Sequence, residues 1–237
     1  MALSDNLVAY YKLDETSWTS ITDSVTSWTG TLTNATQNSW GKIWYCTSFW
    51  WQWYYATCPT ISDHIWWGNT MSVNAWVYRA DNNVFRSICW ERQQSWDYYL
   101  NFLISSNNDD NKLIFQTYWQ NNWWWVACCS INTIPQNTRT MITWTYDGSK
   151  MRVYINWAYE NEANQTVTLY NNTWSNLMIG RNSWPASQQD WNWRIDEVWV
   201  RSRCLSATEI STLYNSWSGN QYPFTETSTF IPKIIQF

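Results

Sequence analysis

Glycine is what this sequence has least of for its kind: there are 6 in 237 residues, where ordinary usage of about 7% would supply about 17. Histidine is almost missing, with His64 alone in the loop-like stretch DHIWW. The 14 basic and 18 acidic side chains are scattered and form no basic run, so nucleic acid is a poor partner and so is an anionic membrane surface. No stretch approaches the roughly 18 unbroken apolar residues of a spanning helix, and no membrane insertion is expected. Met1–Asn6 has neither a basic n-region nor an apolar h-region, so no secretory signal is read there. No Cys-x-x-Cys metal pair occurs among the 6 cysteines. Their even number permits disulfides: Cys46 and Cys58 flank a hairpin loop and are placed to lie across neighbouring strands, and Cys89 has Cys128 or Cys129 as partner. Without a secretory signal, buried free thiols are favoured over a disulfide framework.

Tryptophan is there instead, 24 times. Many of these residues fall where a tight turn wants a residue without a β-carbon. Trp157 follows Asn156 at the place of an Asn-Gly hairpin turn. Trp50, Trp51 and Trp53 separate two strand-like runs; Trp66-Trp67 and Trp123–Trp125 sit in loops beside Asn. Trp217 occupies the stop of a helix, where a left-handed glycine is expected. UGA means tryptophan in one variant genetic code and glycine in another, so the pattern reads as glycine codons translated with the wrong table. The competing reading is an aromatic sugar-binding face, but such platforms sit on strand faces rather than turns. Trp76 and Trp144 lie mid-strand in apolar alternation and are taken as genuine. Trp199 is left open between the two readings. Most of the other indoles are expected at bends, facing outward, several with positive φ.

Strand-like segments recur along the whole chain with turn signals between them. In MSVNAWVY, Met71, Val73, Ala75 and Val77 face one side while Asn74, Trp76 and Tyr78 face the other. In KMRVYIN, Met151, Val153 and Ile155 alternate with Arg152 and Tyr154. A strand is also expected over Thr166–Tyr170. The one convincing helix spans Ser206–Ser216, opened by a Ser206/Glu209 capping box and a Leu205/Ile210 staple, with Ile210, Leu213 and Tyr214 on one face. These periods give an all-β fold, a two-sheet antiparallel jelly-roll β-sandwich with one short C-terminal helix. The domain is read as 1–217, with 218–237 a loosely attached tail or linker.

The segment RIDEVWVRSRCLSATEISTLY resembles the closing strand and helix of laminin-G-like, concanavalin-A-like jelly-roll domains. NLVAYYKLDETSWTSITDSVTSWTGTLTN is similar to the first strand and loop of that family, and MSVNAWVY and MITWTYDGSKMRVYINWAYEN to its central strands and hairpin. Four separated segments in the family's order, over about residues 5–217, make the resemblance specific. It implies a structural calcium pinning the end of the first strand to the last, at Asp14, Glu15 and Asp196, oxygen ligands of the kind Ca2+ takes. The same acids would otherwise cap turns or pair with Arg194 and Arg203.

The family also includes glycosidases, which need two carboxylates facing one bond. No E-x-D-x-E strand exists here, Glu160 and Glu162 lie past a hairpin, and the adjacent Asp196 and Glu197 are expected on opposite sheet faces. No enzyme is expected, and His64 is read as a surface residue. Carbohydrate binding rests on strand aromatics that stack on sugar rings, namely Tyr78, Tyr98, Tyr99, Tyr118 and Trp144, with Asn and Gln for hydroxyls; these tyrosines equally suit core or rim. The reading is a non-catalytic binding or adhesion module for carbohydrate on a virion or cell surface, its partner a glycan or a surface protein. A structural spacer or assembly domain is the alternative, and a degenerate glycoside hydrolase a weaker one.

Overall fold

Residues of alternating polarity fold as strands because each then buries one side, and the computed structural model follows that pattern. It describes residues 2–15, 19–38, 41–49, 54–61, 69–80, 86–92, 100–106, 110–118, 125–166, 176–181 and 193–224. The strands are β1 Leu7–Tyr11, β2 Ser20–Thr22, β3 Thr29–Thr33, β4 Thr36–Asn38, β5 Cys46–Phe49, β6 Tyr55–Cys58, β7 Met71–Arg79 and β8 Arg86–Arg92. They continue as β9 Leu100–Ser106, β10 Lys112–Tyr118, β11 Trp125–Thr133, β12 Arg139–Tyr146, β13 Lys150–Ile155, β14 Ala158–Asn164, β15 Leu177–Ile179 and β16 Trp193–Arg201, before helix α1 Ala207–Tyr214. No helix among the described residues is long and apolar enough to cross a membrane.

Two antiparallel sheets of eight strands form the body. One runs β14-β13-β12-β7-β16-β5-β4 with β1 also on β16; the other runs β11-β10-β9-β8-β15-β6-β3-β2. Met71, Val73, Ala75 and Val77 enter the core between the sheets, as do Met151, Val153 and Ile155. The opposite face of the first sheet carries a second apolar layer, Tyr10, Trp76, Met141 and Trp199, covered by Leu205, Ile210, Leu213 and Tyr214 of the helix segment. The helix lies there because its apolar stripe has only that face to bury against. Its start is the expected capping box: Glu209 N–H donates to Ser206 Oγ at 3.3 Å, and Ser206 N–H to Glu209 Oε2 at 2.9 Å.

Several expectations change. The segment after Trp217 is not loose as far as Phe224: Tyr222 and Phe224 pack on the outer layer, Phe224 with its ring 4.9 Å from that of Trp199. Cys46 and Cys58 lie in different sheets, not on neighbouring strands, and all six cysteines are free thiols. A strand forms at Ala158–Asn164, paired back on β13 across a two-residue turn; of the expected Thr166–Tyr170 strand, Thr166 is non-strand and the rest lies outside the described residues.

The tryptophans divide. Trp28, Trp44, Trp157 and Trp217 are exposed at 49%, 66%, 52% and 41%, at bends and turns as expected. Others lie in strands instead: Trp125 opens β11 and Trp193 opens β16, while Trp90 in β8 and Trp199 in β16 are buried. Only Trp217 among the described tryptophans is left-handed, at φ 79°. Trp157 is not: Asn156 before it is left-handed at φ 59°, whereas an Asn-Gly type I′ turn takes positive φ at both positions, so the expected turn geometry does not form there.

Trp144 sits at the centre of the core, its indole stacked 3.5 Å from the Phe115 ring of the opposite sheet. Trp144→Ala should cost about 3–5 kcal/mol through lost burial and the cavity left behind. Urea unfolding checks this; a cost below about 1 kcal/mol would mean the indole does not hold the sheets together.

Candidate functional site

The outer face of the first sheet is organised by cross-strand register. Strand β7 lies between β12 and β16, and residues directly opposite one another stand close enough for their side chains to touch. Arg139, Tyr78 and Arg194 form one row across the three strands; Met141, Trp76 and Asp196 form the next. The loop before β5 hangs over the second row, and Lys42 N–H donates to Asp196 Oδ2 at 2.5 Å. The Lys42 ammonium lies 4.6 Å above the Trp76 ring and 4.5 Å from that of Trp217. Gly41 is needed at this approach, since a β-carbon there would come 1.8 Å from the Tyr45 carbonyl oxygen. The result is a shallow cleft of about 10 Å³, room for about one water molecule, lined by Lys42, Trp76, Tyr78, Arg139, Arg194 and Asp196.

Tyr78 is half-buried, with the Arg194 guanidinium 5.0 Å from its ring centre. Trp76 is the cleft floor, stacked on Tyr214 at 5.7 Å. Desolvation holds the Lys42 ammonium below its ordinary pKa, with the nearby Arg139 charge adding to that and Asp196 opposing it. Asp196 is 3% exposed, and its Oδ1 has no hydrogen-bond partner. Burial drives its pKa well above the carboxylate range, with the neighbouring Glu197 charge pushing the same way.

Asp196 and Glu197 do not face opposite sides as expected. Glu197 is left-handed at φ 54°, and the β7–β16 register shifts between Asp196 and Trp199. Such a bulge breaks strand alternation: Ile195 and Val198 both enter the core while Asp196 and Glu197 both stay on the outer side. Glu197 accepts a hydrogen bond from the Tyr10 hydroxyl, and another from Gln221 Nε2 at 2.9 Å. Burial lifts its pKa to about 8, Asp14 adds to the rise, and the Tyr10 and Gln221 bonds oppose it.

The acidic trio named for calcium is not assembled as a cage. Asp14 accepts from Tyr45 N–H at 2.9 Å and from Gln221 at 3.3 Å. Glu15 turns away to accept from Thr22 N–H at 2.8 Å. Asp196 Oδ1 and Glu15 Oε2 are the trio's buried oxygens without a hydrogen-bond partner. Yet among the described residues no group of three or more acids, histidines or cysteines converges on a point, and Ca2+ asks for six to eight oxygens. The geometry fits turn caps better.

Of the aromatic candidates whose side chains are described, Tyr78 lines the cleft and Trp144 does not. Trp144 is sealed in the core, because Ile142, Trp144 and Tyr146 take the inward side of β12. Tyr98 and Tyr99 lie outside the described residues, as does His64, and Tyr118 ends β10 with its side chain outside them too. Lys42, Arg139 and Arg194 were not anticipated. The Trp76/Tyr78 alternation marked the face, but the flanking arginines come from strands 60 and more residues away in the chain, and only register aligns them. Glu160 and Glu162 are structural: Glu160 accepts from Asn132 N–H at 2.8 Å, and Glu162 pairs with Lys150 and Arg152.

A family model described as the concanavalin A-like lectin/glucanases superfamily, of laminin-G type, matches residues 55–211. The chain belongs to that superfamily. No curated protein sequence matches it. Among solved structures, domain 4 of an extracellular arabinanase from Geobacillus stearothermophilus, in complex with arabinotriose, is similar at TM-score 0.67 and 17% identity, covering 87% of this chain and 97% of that one. The binding domain of Paraclostridial Mosquitocidal Protein 1 aligns at TM-score 0.71 and 15% identity, over 91% of this chain and 53% of the other. Trypanosoma rangeli sialidase in complex with sialic acid aligns at 0.64 and 12%, over 92% and 34%. The superfamily member thus spans nearly all of the arabinanase domain, about half of the toxin domain and a third of the sialidase. At these identities the likeness is one of fold.

The raised Glu197 pKa has a stability consequence. The folded protein keeps that proton up to about pH 8, whereas the unfolded chain releases it near the ordinary value of 4.5. Between those values the folded state binds more protons, so stability is greatest at the acid end and falls as pH rises, by at most about 1.4 kcal/mol per pH unit for one group. Urea midpoints at about pH 5, 6.5 and 8 should decline for the wild type and decline less for Glu197→Gln. A wild-type midpoint that rises over that range would contradict the assignment.

Proposed function

We propose that this domain is a non-catalytic module that binds saccharide at the outer-face cleft and serves on a cell or virion surface. The observation that carries the reading is the row Arg139–Tyr78–Arg194, a half-buried aromatic ring with an arginine opposite it on each neighbouring strand, beside a shallow cleft. Aromatic faces and edges take the apolar side of a sugar, and guanidinium N–H groups take its oxygens. The neighbours point the same way: one is a domain holding arabinotriose, another the binding domain of a toxin. Glycosidases share the fold, but the adjacent acids here, Asp196 and Glu197, are sealed at 3% and 0% exposure, which suits a folding role better than attack on a glycosidic bond.

A glycan array probed with the whole chain tests the reading. Binding to at least one saccharide class is expected, weakened about tenfold, or about 1.4 kcal/mol, by Tyr78→Ala with the thermal midpoint kept. An array that stays blank at millimolar saccharide returns the domain to a spacer role. Turnover of a β-glucan would restore the glycosidase reading.

A further inference from the structure

A larger groove lies elsewhere on the outer face of the first sheet, where the chain passes from β16 into α1. Residues 203–209 form its wall, and Arg152 and Tyr154 of β13 form its floor. Its volume is about 710 Å³, inside the roughly 300–1,000 Å³ of small-molecule sites; the cleft at Tyr78 has room for about one water. Strand β14 extends the floor outward. Tyr159 stands opposite Tyr154 in register, its ring 5.8 Å away and edge-on, and Glu162 stands opposite Arg152. Tyr159 is 53% exposed, an aromatic ring open to solvent beside the groove.

The charges around this groove are matched to one another. Arg152 holds Asp147 at 2.7 Å and Glu162 at 3.1 Å, and Arg203 holds Glu209 at 2.7 Å. The helix start offers no free anion site, because Ser206 and Glu209 close the capping box there. An anion entering would have to displace a carboxylate already in place. A sugar hydroxyl would not, since it donates and accepts at once and can lie between a guanidinium and its acid. We propose that the groove binds a neutral oligosaccharide, with one sugar face on the Tyr159 ring and hydroxyls on Arg152, Ser206 and Thr208. Ser206 and Thr208 are exposed on the wall, and aromatic rings take the apolar side of a sugar. The volume admits more than one sugar ring, so binding should strengthen with ligand length. The proposal shares with the preceding reading only the class of ligand; the site is a different one.

Titration calorimetry on the full chain tests it, with arabinotriose, xylotriose, cellotriose and maltotriose as probes, each beside its monosaccharide. Cellotriose oxidised to its uronic acids is the charged counterpart. At least one trisaccharide should bind about tenfold or more tighter than its monosaccharide. Tyr78→Ala removes any share of the cleft and should leave the share of the groove. On that background Tyr159→Ala should weaken binding about tenfold with the thermal midpoint kept, since the residue is exposed. Thr208→Trp, at an exposed helix position, should fill the groove and abolish the remaining binding. Trisaccharide binding that disappears in Tyr78→Ala alone and is unchanged by Tyr159→Ala and Thr208→Trp alone would overturn the groove and leave the cleft standing. No heat from any probe at millimolar concentration would overturn both. Oxidised cellotriose binding more tightly than cellotriose would overturn the preference for a neutral ligand.

Discussion

One splice in the first sheet governs the rest of the molecule. Strand β16 is paired on one side with β7 along most of its length, but its other side changes partner half-way. Trp193–Ile195 pair with β5, and Val198–Arg201 pair with β1. The change falls at Asp196 and Glu197, where the left-handed residue absorbs the step between two strand ends. Because a bulge suspends alternation, two acids arrive on one side of the sheet instead of being divided between core and surface. Burial raises the pKa of both, and the two acids tie together Tyr10, the loop at Lys42 and the segment at Gln221.

The outer layer follows from that splice. Trp76, Tyr10 and Trp199 form an apolar face that the helix covers on one side and Tyr222 and Phe224 on another. Next to that cover lies the half-buried strip at Tyr78, where polar and cationic residues replace the apolar ones. The cleft is therefore the edge of a packing layer rather than a separate cavity. Its floor, Trp76, belongs to the layer; its rim belongs to solvent.

The fold was legible in the sequence because burial writes a period of two into β7 and β13, and because a capping box and staple mark the start of the helix. The bounds of β7 and β10 coincide with the apolar runs. The short strands β2 and β4, three residues each, carry too little pattern to be seen, and β14 was hidden because AYENEAN is mostly polar. The site was far less legible. Tyr78 was found by its face, but Trp144 was assigned outward because one strand's alternation does not say which side is the core. Arg139 and Arg194 are distant in sequence, and no spacing rule joins them. The expected division of Asp196 and Glu197 failed on a single backbone angle.

The way the start of β1 and the end of β16 are held together sets how that strand pair meets tension. Leu7 is paired with Arg201 at the end of the β1–β16 ladder. Beyond it the Arg201 guanidinium donates to the Leu3 carbonyl at 3.1 and 3.0 Å, and that of Arg203 to the carbonyls of Asp5 and Ala2 at 2.9 Å each. A pull applied across residues 2 and 203 would therefore meet these rungs in succession instead of all together. The domain would open like a zip, yielding at low force and closing again one bond at a time.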